Sequence, residues 1–156
     1  MDGYKALEQG LINRYGFQYE VGKTYTLDGD LKWKKNGFHF CTYPEDTLRY
    51  VDAWNNEIEI VSVEGSGELE KFNDEYYGFF DMYASSIMTI KRIVPREEVF
   101  ETILSSNNID RIKRYITLMK LSNNEINVIR DNYPELNRTI NYYQNEEYIL
   151  KRKREL

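Results

Sequence analysis

Short runs of alternating apolar and polar residues fill the first 95 positions, and this period of two predicts β-strands. The predicted strands are YKAL, GFQYEV, KTYTL, GFHFC, IEIVSVEG and IMTIKRIV. In IMTIKRIV, Met88, Ile90, Arg92 and Val94 are predicted to share one face, opposite Ile87, Thr89, Lys91 and Ile93. The glycine-rich string EGSGE, Glu64 to Glu68, is predicted to be a turn.

Between these strands, the stretch TYPEDTLRYVDAW predicts a helix. Thr42 and Glu45 have the spacing of a capping box, and Pro44 lies in the first turn, where its missing amide donor is tolerated. Leu48 and Val51 would then face the core together.

After Pro95 the apolar spacing changes to three and four residues, which predicts helices. Glu97 and Glu98 follow Pro95 at the first helix start, and Ser122 and Glu125 offer a second capping box. The four predicted helices are PREEVFETILSS, NNIDRIKRYITLMKL, SNNEINVIRDNY and PELNRTINYYQNEEYILKRKREL.

The change at Pro95 predicts an α+β protein with two parts. Residues 1–95 would form a small mixed or antiparallel β-sheet domain with one or two helices, and residues 96–156 a bundle of short helices. Each helix must bury its apolar stripe against another helix, the sheet or a partner, so a helical docking surface stays open beside a simple bundle.

Composition narrows the class of protein. With 156 residues, of which 41% are hydrophobic, the chain can bury a core. No apolar run approaches the roughly 18 residues of a membrane-spanning helix, and MDGYKALEQG is too polar for a signal peptide. We therefore expect a soluble, cytoplasmic protein without membrane contact. One cysteine and one histidine cannot form a Cys/His zinc site, although carboxylate ligation stays open.

Charge is distributed unevenly along the chain. Up to Pro95 there are 10 Lys and Arg against 16 Asp and Glu, so this part would repel phosphate backbones and generic nucleic-acid binding is disfavoured. The exception is the terminal basic run of Lys151, Arg152, Lys153 and Arg154. It is typical of a solubilising helix end, and contact with nucleic acid or an anionic partner is the alternative.

The histidine and the cysteine lie two positions apart in GFHFC. In a strand, His39 and Cys41 share one face and are separated by about 6.5 Å, which is too long for the hydrogen bond that would activate a thiol. A buried cysteine beside a hydrogen-bonded histidine is the interpretation we prefer. His39 as a ligand contact and a catalytic dyad are the alternatives.

Aromatic and acidic residues alternate in the tract FNDEYYGFFDMYASS. Tyr76, Tyr77, Phe79 and Phe80 could form a lid over the sheet or an exposed recognition segment, since aromatic residues are enriched at interfaces.

Several blocks occur in an order that resembles a known family. GYKAL, GFQYEVGKTYTLDGDLKWKKNGFHFC, PEDTLRYV, EGSGE and YASSIMTIKRIV are similar to an uncharacterised domain of phages, prophages and large DNA viruses. The resemblance covers about Gly3 to Val99. It implies a fold and a phage or viral setting, with no activity to transfer.

A second resemblance is to the ADP-ribosyltransferase fold. GFHFCTYPEDTLRYV is similar to the strand and helix that hold the nicotinamide end of NAD there, which implies that His39 takes the position of the stacking tyrosine and Tyr50 lies on the helix. The same resemblance implies that Tyr4 and Lys5 lie on the early strand where such enzymes place His or Arg. IMTIKRIV lacks the catalytic glutamate, so Glu64 or Glu68 would have to supply it.

Two functions follow. The first is a phage or viral accessory protein, in the host cytoplasm if viral, that binds a host or viral protein or a small ligand without catalysis or a cofactor. The second is an NAD-dependent enzyme with His39, Tyr50, Tyr4 and Glu64 around the ligand. We prefer the first.

Overall fold

The computed structural model describes residues 1–32, 36–72 and 81–145. Within these residues it confirms an α+β fold, with an antiparallel sheet followed by helices. The strands are β1 (Asp2–Glu8), β2 (Thr24–Thr26), β3 (Phe38–Cys41), β4 (Ile58–Phe72) and β5 (Met82–Val94). The helices are α1 (Pro44–Thr47), α2 (Arg96–Ser105), α3 (Ile109–Leu118), α4 (Asn123–Asn132) and α5 (Asn137–Tyr143), with 3-10 turns at Leu48–Tyr50 and Pro134–Leu136.

The sheet closes on itself. β1 pairs with both β3 and β4, and β5 also pairs with both β3 and β4, so these four strands form a ring to which β2 is added along β5. Phe40 of β3 reaches across the ring, and a Cβ at Gly3 or Gly65 would collide with its side chain. The interior is therefore tightly filled. It also contains Leu7, Val61, Val63, Met88 and Ile90.

The opposite face of the sheet carries the helices. Ala6 of β1, Ile60 of β4 and Val94 of β5 belong to one buried cluster with residues from α2, α3, α4 and α5. The apolar stripes of the helices are thus covered by the sheet as well as by one another. Some of the most buried helical members are Ile103, Ile112, Ile116, Ile129 and Ile140.

Irregular pairing corrects two strand predictions. EGSGE is not a turn but part of β4, and the register shifts between Ser66 and Leu69, where Gly67 has a φ of 73° that favours glycine. A second shift lies between Ser62 and Val63. Because of it, Met88 and Ile90 point into the ring while Val94 packs under the helices, so the predicted single face of IMTIKRIV is wrong.

The predicted strand GFQYEV is also wrong. Apart from an isolated bridge between Ile12 and Gln18, this stretch is a loop held by Asn13, whose side-chain oxygen accepts hydrogen bonds from the amides of Tyr15 and Phe17, both at 2.9 Å. Such local side-chain bonds compete with a ladder.

The helix predicted from Thr42 to Trp54 is only one turn followed by a 3-10 turn. Its cap is Tyr43, without a side-chain hydrogen bond, and the hydroxyl of Thr42 has no hydrogen-bond partner in the described part of the chain. The predicted capping box fails because the Glu45 carboxylate binds Arg111 instead. By contrast, the capping box of Ser122 and Glu125 is confirmed.

Candidate functional site

A groove lies where the sheet meets the helices. One wall is the segment from Ala53 to β4, the floor is the end of β5, and the other wall is formed by α2 and α3. The groove encloses about 600 Å³, a volume typical of ligand sites. Its apolar lining includes Leu48, Trp54, Ile58, Ile93, Val99 and Met119.

The first wall is shaped by an aspartate-centred turn. The Asp52 carboxylate accepts hydrogen bonds from the amides of Trp54 at 3.1 Å and Asn55 at 3.3 Å, and the amide of Asn56 donates to the Asp52 carbonyl at 3.0 Å. This local bonding buries Trp54 and leaves Asn55 and Asn56 exposed at the mouth of the groove. Glu57 and Glu59 extend the same wall.

The second wall is held by the Glu125 carboxylate, a group on α4 behind the groove. Arg96 donates to it from Nη2 at 2.6 Å and from Nε at 3.2 Å, and the Tyr115 hydroxyl donates at 2.9 Å. The amide of Ser122 adds a fourth bond at 2.8 Å. We call Arg96, Tyr115, Ser122 and Glu125 the α4 joint. Because Arg96 and Tyr115 line the groove, these bonds fix the position of the wall.

The ionisation of the α4 joint follows its bonding. Burial by itself raises the pKa of Glu125, but the bonds from Arg96 and Ser122 more than offset this, and the pKa lies below its usual value. Burial also raises the pKa of Tyr115, with the Glu125 charge acting in the same direction. Tyr115 therefore stays protonated and donates.

A second charged cluster attaches α1 to α3. Glu45 and Asp46 are both fully buried, and they meet the Arg111 and Arg114 side chains of α3. Arg111 binds the Glu45 carboxylate through Nε and, at 3.1 Å, through Nη2, and its guanidinium lies 4.2 Å from the centre of the Tyr43 ring. We call Glu45, Asp46, Arg111 and Arg114 the α1 joint.

Asp46 is less well satisfied. Arg114 Nε donates to Oδ1 at 2.8 Å, whereas Oδ2 has no hydrogen-bond partner among the described residues. Burial, which Arg114 only partly offsets and the neighbouring Glu45 reinforces, raises the pKa of Asp46 to about 6.

The residues predicted as a ligand site lie outside the groove. Tyr4 pairs with Cys41 and Ser62 and packs against the helical cluster, and Glu64 lies opposite Asp2 near the start of β1. Tyr50 ends the 3-10 turn after α1 and is 38% exposed. No hydrogen bond or ion pair joins the side chains of Tyr4, His39 and Glu64 within the described residues.

His39 and Cys41 belong to the scaffold of β3. The His39 ring lies 5.5 Å from that of Phe72, and its carbonyl accepts a bond from Lys5 Nζ at 2.7 Å. Burial, with the nearby Lys5 charge, lowers the pKa of His39 to about 4, so the imidazole is neutral at pH 7. Cys41 is buried, and burial raises the pKa of its thiol. A neutral thiol is a poor nucleophile.

Two predicted surfaces fall outside the described residues. These are the aromatic set of Tyr76, Tyr77, Phe79 and Phe80, and the basic set of Lys151, Arg152, Lys153 and Arg154.

Sequence reasoning missed the two joints. It treated Glu45 and Glu125 only as helix caps, although the adjacent acids at 45 and 46 and the arginines three apart on α3 were available signals. Arginines at that spacing share a helix face and can meet two neighbouring carboxylates.

Within the described ranges, no group of three His, Cys, Asp or Glu side chains could hold a metal ion. None of the described helices has the length and apolar character needed to cross a bilayer.

The chain belongs to the family of the domain of unknown function DUF7666, whose model matches residues 1–101. This confirms the resemblance to an uncharacterised domain family, and the match ends within α2. Neither the comparison with curated proteins nor that with solved structures gave a match.

Proposed function

We propose that the protein is a non-catalytic binding module that holds a segment of a partner protein in the groove between the sheet and the helices. The observation that carries this proposal is an open cavity of about 600 Å³ with an apolar floor and charged walls. Ligand sites in proteins commonly have volumes of about 300–1,000 Å³ and mainly apolar linings.

The exposed apolar surface in the groove supports the same proposal. Ile93 is 44% exposed at the floor and Ile58 is partly exposed, whereas Met119 and Trp54 line the groove as buried side chains. Apolar side chains that a fold leaves accessible in a concave site bind apolar groups of a partner, because that contact removes them from water.

The distribution of ionisable groups favours binding over catalysis. The carboxylates of Glu45, Asp46 and Glu125 are buried and paired with arginines, and neither His39 nor Cys41 lines the groove. The titratable side chains that do line the groove include Glu57, Glu59 and Lys120, and within the described residues no hydrogen bond or ion pair joins them. General acid–base catalysis needs such groups to be positioned on the substrate, whereas separate wall charges suit recognition. We also propose a phage or viral setting, with a host or viral protein as partner in the cytoplasm, on the basis of the sequence blocks described above.

The experiment is a selection from a phage-displayed library of random peptides against three purified proteins. These are the wild type, Ile93→Asp in the groove, and Leu69→Asp on β4 outside it. Ile93 and Leu69 are both 44% exposed, so the two substitutions place the same charge at equally accessible sites.

We expect the wild type and Leu69→Asp to enrich the same peptides, and Ile93→Asp to bind them at least about tenfold more weakly. Thermal melts of the three proteins verify that each is folded. An unselective wild type, or full binding by a folded Ile93→Asp, would overturn the proposal.

The NAD-dependent enzyme stays a prediction with a separate test. Its residues Tyr4, His39, Tyr50 and Glu64 do not line the groove. Incubation with labelled NAD and cell lysate should give neither nicotinamide release nor label transfer. Release or transfer that His39→Ala abolishes would show that the protein is an enzyme.

A further inference from the structure

We infer that the groove selects an extended peptide segment in which an apolar anchor residue is flanked by an acidic residue on one side and a basic residue on the other. This inference rests on the proposed function and specifies the chemistry of the partner. It follows from the opposite charges of the two groove walls, which are Glu57 and Glu59 on the first and Arg96 and Lys120 on the second.

The positive charge of the helical wall comes mainly from Lys120. Arg96 is paired with Glu125, so its charge is largely compensated within the α4 joint. Lys120 is exposed and its ammonium makes no ion pair within the described ranges, while its backbone carbonyl accepts a 2.7 Å bond from Arg96 Nη2. The backbone beneath Lys120 is thereby fixed, and its charge is free for an acidic residue of a ligand.

The negative charge of the opposite wall comes mainly from Glu57. Glu59 is partly engaged, because one carboxylate oxygen accepts a 3.2 Å bond from the amide of Gly10. Glu57 is exposed, and its side chain makes no ion pair within the residues that the structure describes. Its backbone carbonyl accepts a 3.2 Å bond from the amide of Gln9, which fixes this position as well.

A segment lying across the groove therefore meets one charge of each sign with an apolar floor between them. Complementary charges at the rim of an interface determine specificity and association rate more than affinity, whereas buried apolar anchors supply most of the affinity. The floor would select the anchor residue, and Lys120 and Glu57 would select the order of the flanking charges.

The test repeats the peptide selection with single charge reversals. Lys120→Glu should replace the acidic preference by a basic one, and Glu57→Lys should replace the basic preference by an acidic one. The matched controls are Lys113→Glu on α3 and Glu101→Lys on α2, both exposed and outside the groove. The controls should enrich the same peptides as the wild type.

For a selected wild-type peptide, Lys120→Glu should weaken binding about tenfold at low salt and less at high salt, because salt screens exposed charges. Enriched peptides without a charge preference, or with one that the reversals leave unchanged, would overturn this inference and leave the proposed function standing. If the wild type enriches no peptide at all, the proposed function itself fails.

Discussion

The two arginine–carboxylate joints perform similar tasks with different degrees of hydrogen bonding. The α4 joint links α2, α3 and α4, and its carboxylate accepts four hydrogen bonds, two from Arg96 and one each from Tyr115 and Ser122. The α1 joint attaches α1 to α3 and contains the carboxylates of Glu45 and Asp46. Of their four oxygens, Oδ2 of Asp46 has no hydrogen-bond partner among the described residues.

This difference accounts for the opposite pKa shifts. Burial acts on both Glu125 and Asp46, yet the pKa of Glu125 is lowered while that of Asp46 is raised to about 6. Hydrogen bonds to the charged form overcome burial only where they are numerous enough. A buried carboxylate therefore stabilises or destabilises the fold according to how many hydrogen bonds its oxygens accept. The extent of its burial alone does not decide the sign.

The α1 joint should show the largest loss when one partner is removed. Arg111→Ala leaves the fully buried Glu45 carboxylate without its two bonds from Arg111, while Arg114 Nη2 remains 3.7 Å from Glu45 Oε1. We expect the free energy of unfolding to fall by about 4 kcal/mol, because breaking a buried pair leaves an uncompensated charge. Urea unfolding monitored by circular dichroism measures this value.

Lys113→Ala is the control for Arg111→Ala, since Lys113 is exposed on the same helix. It should change the stability by less than about 0.5 kcal/mol. Equal stability of the two variants would show that the α1 joint contributes nothing to holding α3 in place.

The α4 joint should respond to loss of charge alone. Glu125→Gln keeps the size of the side chain and can preserve the capping box with Ser122, but it removes the charge that Arg96 and Tyr115 bind. We expect a loss of about 2 kcal/mol, typical of charge-assisted hydrogen bonds. Glu97→Gln, on the exposed start of α2, should have no measurable effect in the same urea titration. An unchanged free energy of unfolding in Glu125→Gln would mean that the shape of this side chain, and not its charge, fixes the groove wall.

Sequence patterns predicted the local features of these joints and missed the distant ones. The capping box at Ser122 involves residues three apart, so its signal is contained in one helical turn. The bonds from Arg111 to Glu45 span 66 positions, and no local pattern states which buried acid an arginine will meet. The predicted capping box at Thr42 was wrong for the same reason, because the Glu45 carboxylate binds the distant Arg111 and not the nearby backbone amide of Thr42.

Most strands of the sheet could be predicted from the sequence, but the pairing that closes the sheet into a ring could not. Alternation identified most strands, whereas the two register shifts in β4 and β5 arise from pairing and reverse the side-chain faces beyond them. The groove was out of reach for the same reason, since Ile93 and Lys120 come together only when α3 packs on the sheet. The predicted site residues were chosen by a local resemblance, and none of them lines the groove.

Asp46→Asn makes the same chemical change in the α1 joint that Glu125→Gln makes in the α4 joint. Its effect on the free energy of unfolding should not be a loss. An amide can still accept the bond from Arg114, and the substitution removes a buried charge that has an unbonded oxygen. We expect the free energy of unfolding at pH 7 to be unchanged or higher by up to about 1 kcal/mol.

The pH dependence sharpens this prediction. Folding raises the pKa of Asp46 from the ordinary 3.8 to about 6, so the folded state binds a proton that the unfolded state has released between these values. The contribution of Asp46 to stability is therefore present below about pH 4 and lost as the pH rises through 6. The difference between the wild type and Asp46→Asn in urea titrations should change across this window and be constant above it. A constant difference throughout would contradict the raised pKa.

The smallest effect is expected for an exposed pair outside both joints. Arg92 of β5 binds the Glu98 carboxylate of α2 through both Nη atoms, with side chains 52% and 45% exposed. Because water and salt screen such a pair, Arg92→Ala should leave the urea midpoint within error of the wild type. The geometry of this pair is bidentate, as at Glu45, so the two substitutions separate the role of burial from that of bonding. A loss as large as that of Arg111→Ala, persisting at high salt, would show that burial is not what makes the α1 joint strong.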